Sequence, residues 1–205
     1  MECVGLFASL RRMEKYLSIV SSPSFVYLLD WSIRLLLAFV FVSYGSGKLL
    51  GGQFGGLTQE ELETPIQSLS LFQVGWYLFD HQPFKAMVGL FQIIASVLLL
   101  IPRTKYIGIL FLLPIIGSIL IIDLTIMPVV FQWGFGFRLS GYILYLLLIL
   151  LQNKSLFHGI LHPPTAPPPI QNKWQYLWIL LLIPAIEIIP SALKWMVQAI
   201  YYGMN

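Results

Sequence analysis

Cysteine occurs once in 205 residues, at Cys3, so the chain builds no intramolecular disulfide, CxxC pair or thiolate-ligated cluster from its own side chains. Charge is nearly as scarce, with 10% of residues charged against 58% hydrophobic and a mean hydropathy of +0.81. In a soluble domain about a quarter of the residues are charged. Histidine is limited to His81, His158 and His162, none of them paired across opposed apolar segments, which disfavours bis-histidyl haem ligation. His158 and His162 stand four apart, but Pro163 follows at once and ends any helix, so they read as surface histidines and no metal site is expected. No Ser–His–Asp order, zinc motif, nucleotide fingerprint or glycosidase-like carboxylate pair stands out. The net charge of +3 rests on cations scattered at segment ends, a distribution that fits membrane topology and not a nucleic-acid surface.

What the sequence does have is apolar runs of helix length. Residues 31–50, WSIRLLLAFVFVSYGSGKLL, can cross a hydrocarbon core of about 30 Å, which takes roughly 20 helical residues. They carry Arg34 near one end and Lys48 near the other, and cations at such depth survive only near span ends or against protein partners. Residues 51–64, GGQFGGLTQEELET, mix glycine with acids and read as an aqueous loop. Residues 65–80 place Leu69, Phe72 and Trp76 at helical spacing in a stretch too short to span, as an interfacial or re-entrant helix would. Residues 84–101 and 106–122 form a two-span hairpin about Pro102-Arg103-Thr104-Lys105. A fourth span covers 137–151, preceded by MPVVFQWGFGFR, whose Pro, Gly and aromatic content suits a loop at headgroup level.

The proline-rich residues 153–173 make an extended connector, and the fifth apolar stretch, 174–189, is expected to be kinked or broken by Pro184 and Pro190. The expected fold is therefore all-α. It is a polytopic membrane bundle with a four-helix core over 29–152, an external loop and interfacial helix at 51–83, and a C-terminal membrane segment and tail over 174–205. Residues 1–28 form an N-terminal cytoplasmic or interfacial segment, with Leu6, Leu10, Met13 and Leu17 at helical spacing and no cleavage pattern of a signal peptide. With five spans, Arg11, Arg12, Lys15, Arg103, Lys105, Lys154 and Lys173 share one side and Lys48, Lys85, Arg138 and Lys194 the other. That excess predicts a cytoplasmic N-terminus and an external C-terminus. Trp31, Trp76, Trp133, Trp174 and Trp195 fall near the expected span boundaries.

Four polar residues in or beside the spans are candidates for ligand binding: Lys48, Gln92, Asp123 and Arg138. Lys48, Asp80, Asp123 and Arg138 should all approach the external face, either as a structural clamp or as a site for an anionic headgroup or charged substrate. Gln92, near the middle of the second span, needs hydrogen-bond partners that lipid cannot supply; helix-to-helix bonding and a quinone carbonyl both meet that need. Glu187 is the sole acid in the last apolar stretch, which leaves it to be protonated, paired with Lys194 or exposed in a broken helix. Gly45-Ser46-Gly47-Lys48 lacks both the hydroxyl residue and the first glycine of a phosphate-binding loop. Ser43, Gly47 and Gly51, spaced by four, read instead as a helix-packing seam. No residue is identified as catalytic, and no self-contained catalytic motif marks the chain as an enzyme.

Arg34-Leu35 followed by Ala38, Phe41, Gly45 and Lys48-Leu49 resembles the opening helix of DoxX-like membrane proteins. Gly89-Leu90-Phe91-Gln92, then Leu98 to Thr104 and Gly108, is similar to that family's second and third helices. The resemblance covers residues 30–152 and implies a four-helix membrane bundle in a bacterial cytoplasmic membrane. It also implies an accessory subunit among other membrane subunits and lipids, in a quinone-linked oxidoreductase system, with no cofactor held by a recognisable motif. A small carrier or lipid-binding protein is the alternative. Gln92 stands where the resemblance leads one to expect an acidic residue, and the connector and fifth segment are additions to the basic bundle.

Overall fold

The structure, a computed structural model, describes residues 22–151 and 173–203. Cys3, the N-terminal positions at helical spacing, His158, His162 and all but the last residue of the proline-rich connector lie outside the described residues.

Helix α1, Pro23–Leu49, starts well before the apolar run at Trp31. Ser22 accepts a hydrogen bond from the Phe25 amide at 3.3 Å, and Pro23 occupies the first turn, where a missing N–H leaves no bond unmade. There follow α2 (Gln59–Glu63), α3 (Leu71–Phe79), α4 (Phe84–Leu100), α5 (Lys105–Ile126), α6 (Val129–Leu151) and α7 (Leu177–Gly203), with 3-10 turns at Ile66–Ser68 and Lys173–Tyr176. No strand occurs among the described residues. Helices α1, α5, α6 and the stretch Lys173–Ile200 are each long and apolar enough to cross a membrane, while α3 and α4 form a pair bent by 77°. The chain is an all-α polytopic helical bundle and an integral membrane protein. The 17 residues of α4 reach only about 26 Å at 1.5 Å per residue, slightly less than the hydrocarbon thickness.

At one end of the bundle, Arg34 reaches from α1 to the C-terminus of α4. Its guanidinium donates to the Leu99 carbonyl (2.7 Å), to the Leu100 carbonyl and to Asp30 (3.1 Å), and lies 4.1 Å from the Trp31 ring centroid. These are orphan carbonyls that every helix end leaves unpaired, and lipid offers them nothing. Thr104 donates to the Leu98 carbonyl at 2.9 Å, and Lys105 holds the other oxygen of Asp30 at 3.3 Å. A side chain at Gly108 would run into the Leu98–Leu99 backbone. Trp31 therefore serves as a platform for the Arg34 guanidinium within α1.

The seam between α1 and α4 is not the one expected from sequence. Ser43 is exposed and bonds back to the Phe39 carbonyl, Gly47 is only half-buried, and Gly51 lies beyond the helix with nothing within 4 Å of a built Cβ. The close approach is made by Gly45, whose Cβ would lie 2.6 Å from the Gly89 carbonyl oxygen, and by Gly89, whose Cβ would lie 2.9 Å from that of Gly45. Spacing by four chose the wrong face because the buried face of α1 contains Phe41, Gly45 and Lys48.

Two further expectations are corrected. The stretch before residue 137 is helical from Val129, not a loop: Gln132 donates to the Leu124 (3.2 Å) and Met127 (2.8 Å) carbonyls, closing the end of α5 and allowing α6 to begin directly after Met127-Pro128. Its aromatic rings stack at helical spacing, Trp133 on Phe137 at 6.1 Å. Of the kink or break expected in the last segment, the break does not occur: α7 runs through both prolines. Pro190 cannot donate to the Ile186 carbonyl, and Tyr145 supplies the missing donor with its hydroxyl at 2.9 Å. One turn away Pro190 packs on Gly141, where a Cβ would come within 2.6 Å of the ring.

Candidate functional site

Alternating helix directions bring the C-terminal turns of α1 and α5 to the same end of the bundle, opposite Arg34. Lys48 lies in the first of these turns and Asp123 in the second, 4% and 6% exposed. A cation suits a helix C-terminus, whereas a carboxylate there opposes its own helix dipole, so Asp123 owes its stability to Lys48 and not to α5. The two attract each other across a cleft of about 240 Å³ without closing a direct ion pair. Phe54, Trp76, Phe79, Phe84 and Phe91 line the same cleft. The Lys48 ammonium donates to Gln53 Oε1 at 2.7 Å and lies 5.3 Å from the Phe54 centroid and 5.9 Å from that of Tyr44. Trp76 and Phe79 come from α3, which the 77° bend before α4 folds across this end.

Of the candidate residues, Lys48 and Asp123 are brought together and the others are not. Asp80 pairs with Lys85 at 2.5 Å. Arg138 belongs to a separate intramembrane group, pairing with Glu187 at 2.6 Å and donating to the hydroxyls of Tyr142 (2.6 Å) and Tyr44 (3.2 Å). Tyr142 donates to both oxygens of Glu187, at 3.0 and 2.8 Å. Glu187 is thus the partner of Arg138 and not of Lys194, whose ammonium lies over Trp195 at 5.2 Å. This group fastens α7 to α6 and, through Tyr44, to α1. Gln92 is fully buried on the α1-facing side of α4, its Cβ 3.4 Å from where a Cβ on Gly45 would be, and neither side-chain polar atom has a hydrogen-bond partner.

A larger, open groove of about 660 Å³ runs between α6 and α7 past Trp133, Gly141, Tyr145 and Pro190. Its lining is apolar apart from Gln132, Ser140 and the tyrosine, which suits lipid chains and gives no chemistry a foothold. Among the described residues no three His, Cys, Asp or Glu side chains converge on a common point. Sequence reasoning passed over Gln53, Phe54, Tyr44 and Asp30. Only Asp30 left a plain signal, its spacing of four from Arg34.

The uncharacterized protein YwoB of Bacillus subtilis (strain 168) is 34% identical to this chain over 132 residues, covering 63% of this chain and 79% of its own length. No family model and no solved structure matches.

Proposed function

We propose that this chain, which belongs to the same family as the uncharacterized protein YwoB, is a DoxX-like accessory subunit of a membrane oxidoreductase complex and holds a quinone head in the Lys48–Asp123 cleft. The observation that carries this reading is a buried cation and a buried carboxylate facing one aromatic-walled cleft at the end of a membrane bundle. Sites that enclose a whole drug-sized ligand measure about 300–1,000 Å³. With Gln53 and Phe54 in place the cleft measures about 240 Å³, below that range, which suits a head group whose apolar tail stays among lipid. Lys48 would donate to a carbonyl of the head, Asp123 would balance the ammonium, and Phe91 and Trp76 would flank the ring. A bound quinone supplies reversible two-electron, two-proton chemistry, and in this reading the remaining redox centres belong to the partner subunit. The same reading keeps the bacterial cytoplasmic membrane, with the N-terminus cytoplasmic and the C-terminus external.

Purification of the full chain from its native membrane in mild detergent tests this. The expected result is a co-purifying membrane protein and close to one extracted quinone per chain, with the quinone lost on Lys48→Ala. A monomer carrying no quinone would overturn the proposal. Quinone or phospholipid bound without a protein partner would instead support a small carrier or lipid-binding protein.

A further inference from the structure

The segment after α1 reads Gly51-Gly52-Gln53-Phe54-Gly55-Gly56, two large side chains between two glycine pairs. All four glycines are exposed while Gln53 and Phe54 are half-buried, so the backbone leaves the bundle and returns two side chains to the cleft. Gly51 sets the direction with a φ of +80°, a conformation that side-chain-bearing residues rarely adopt, and the Gly52 amide donates to the Gly47 carbonyl at 2.8 Å. A Cβ built on Gly51, Gly55 or Gly56 would meet nothing within 4 Å. These glycines therefore supply backbone freedom and not close packing. In the cleft, Gln53 Oε1 occupies the Lys48 ammonium at 2.7 Å, and the Phe54 ring stands edge-on to Trp76 at 5.3 Å.

We propose that Gln53 and Phe54 form a hinged plug, an internal stand-in for the ligand that is displaced when a neutral, carbonyl-bearing ring enters the cleft. This rests on the quinone reading above and specifies how that site opens and what it admits. The acceptor on Lys48 is a neutral amide carbonyl and its neighbour is an aromatic ring; together they imitate a ring carrying a carbonyl. Lys48 and Asp123 already balance each other, so exchanging one neutral carbonyl for another leaves the buried charge unchanged. An anionic head would add an uncompensated negative charge where desolvation is costly. The plug can swing without unwinding α1, because the last turn of that helix closes on itself through the Leu50 amide and the Ser46 carbonyl at 2.9 Å.

The test uses the full chain in detergent, with a benzoquinone bearing a ten-carbon tail as probe and decanoate as its anionic counterpart. Equilibrium binding and amide hydrogen exchange across residues 52–56 are measured. Quinone binding is expected to speed exchange across that segment, the reverse of ordinary protection by a ligand. The double variant Gln53→Ala, Phe54→Ala is expected to bind the quinone about tenfold tighter, and Gln53→Glu about tenfold weaker, because the competing contact to a charged donor is removed in the first and strengthened in the second. Decanoate is expected to bind much more weakly than the quinone. Weaker binding by the double variant, with slower exchange in the segment, would make these residues ligand contacts and overturn the plug while leaving the quinone reading intact. Equal binding of decanoate would overturn the neutral-head requirement. Absence of quinone binding in both the wild type and the double variant would overturn the quinone reading and the plug with it.

Discussion

Arg34 is 2% exposed and makes its contacts in three directions at once, to the carbonyl end of α4, to Asp30 and to the Trp31 ring. Arg34→Leu strips two helix-end carbonyls of their donor and leaves Asp30 to Lys105 alone. Breaking a buried charge pair in this way typically costs about 3–5 kcal/mol. Thermal unfolding in detergent, followed by circular dichroism, is expected to show that loss. Arg34→Lys is expected to recover only part of it, since an ammonium cannot present the planar fork that reaches two carbonyls and a carboxylate together. A leucine variant as stable as the wild type would contradict this role. Gly89→Leu should be at least as damaging, because even a Cβ at that position collides with the Gly45 carbonyl. Arg34 was conspicuous in the sequence as a cation inside a span, but Asp30, four residues earlier, was passed over as its partner although the spacing pointed to it. The Gly45–Gly89 contact was not legible, because the face that a helix buries depends on its neighbours and not on its own small residues.

At the scale of elements, α7 shows how a proline-containing helix stays whole. Pro190 frees the Ile186 carbonyl, and the Tyr145 hydroxyl takes it up. Tyr145→Phe is therefore expected to cost about 1–3 kcal/mol in the native background, the usual cost of an unsatisfied buried acceptor. In a Pro190→Ala background, where the restored amide bonds the same carbonyl, it should cost clearly less. A double-mutant cycle measured by unfolding checks this, and an unchanged cost of Tyr145→Phe would contradict it. The short helix α2 gives a pH prediction outside the membrane. Its capping-box residue Glu61 is held below its ordinary value of 4.5, first by the Thr58 amide and then by the Gln73 and Thr58 side chains. The contribution of Glu61 to the turn is thus complete above that ordinary value and is lost as pH falls through the lowered one. The Thr58 amide resonance should titrate with a midpoint below 4.5; a midpoint at or above it would show that the box does not form. Thr58–Glu61 and Ser22-Pro23 fit the sequence patterns of a capping box and a helix start, but hydropathy left the first in an aqueous loop and the second in the N-terminal segment, because it marks spans and not caps. The continuity of α7 could not be read from sequence, because the donor that sustains it lies on another helix.

Over the whole molecule, hydropathy placed the spans and tight turns set their alternation, so the all-α bundle was legible in the sequence. Alternation also explains why Lys48 and Asp123 meet: both end helices that run in the same direction. It could not separate them from Asp80, which stays at that end but turns to Lys85, or from Arg138, which lies not at the external face but ten residues into α6, where it pairs with Glu187. The cleft was hidden for a further reason, since Trp76 and Phe79 of α3 and Gln53 and Phe54 of the loop, which complete its walls, come from segments that hydropathy marks only as not spanning. Among the described residues the small cleft holding Lys48 and Asp123 and the larger apolar groove are thus of opposite character. The central claim is that the small one binds the ligand head. The most direct test is photolabelling of the full chain with a photoreactive benzoquinone carrying a ten-carbon tail, followed by mapping of the labelled peptides. The expected result is label on Trp76, Phe91 and the α5 segment ending at Asp123, competed by unlabelled quinone and lost on Lys48→Ala; label concentrated instead on Trp133, Tyr145 and Leu193 of the larger groove would contradict it.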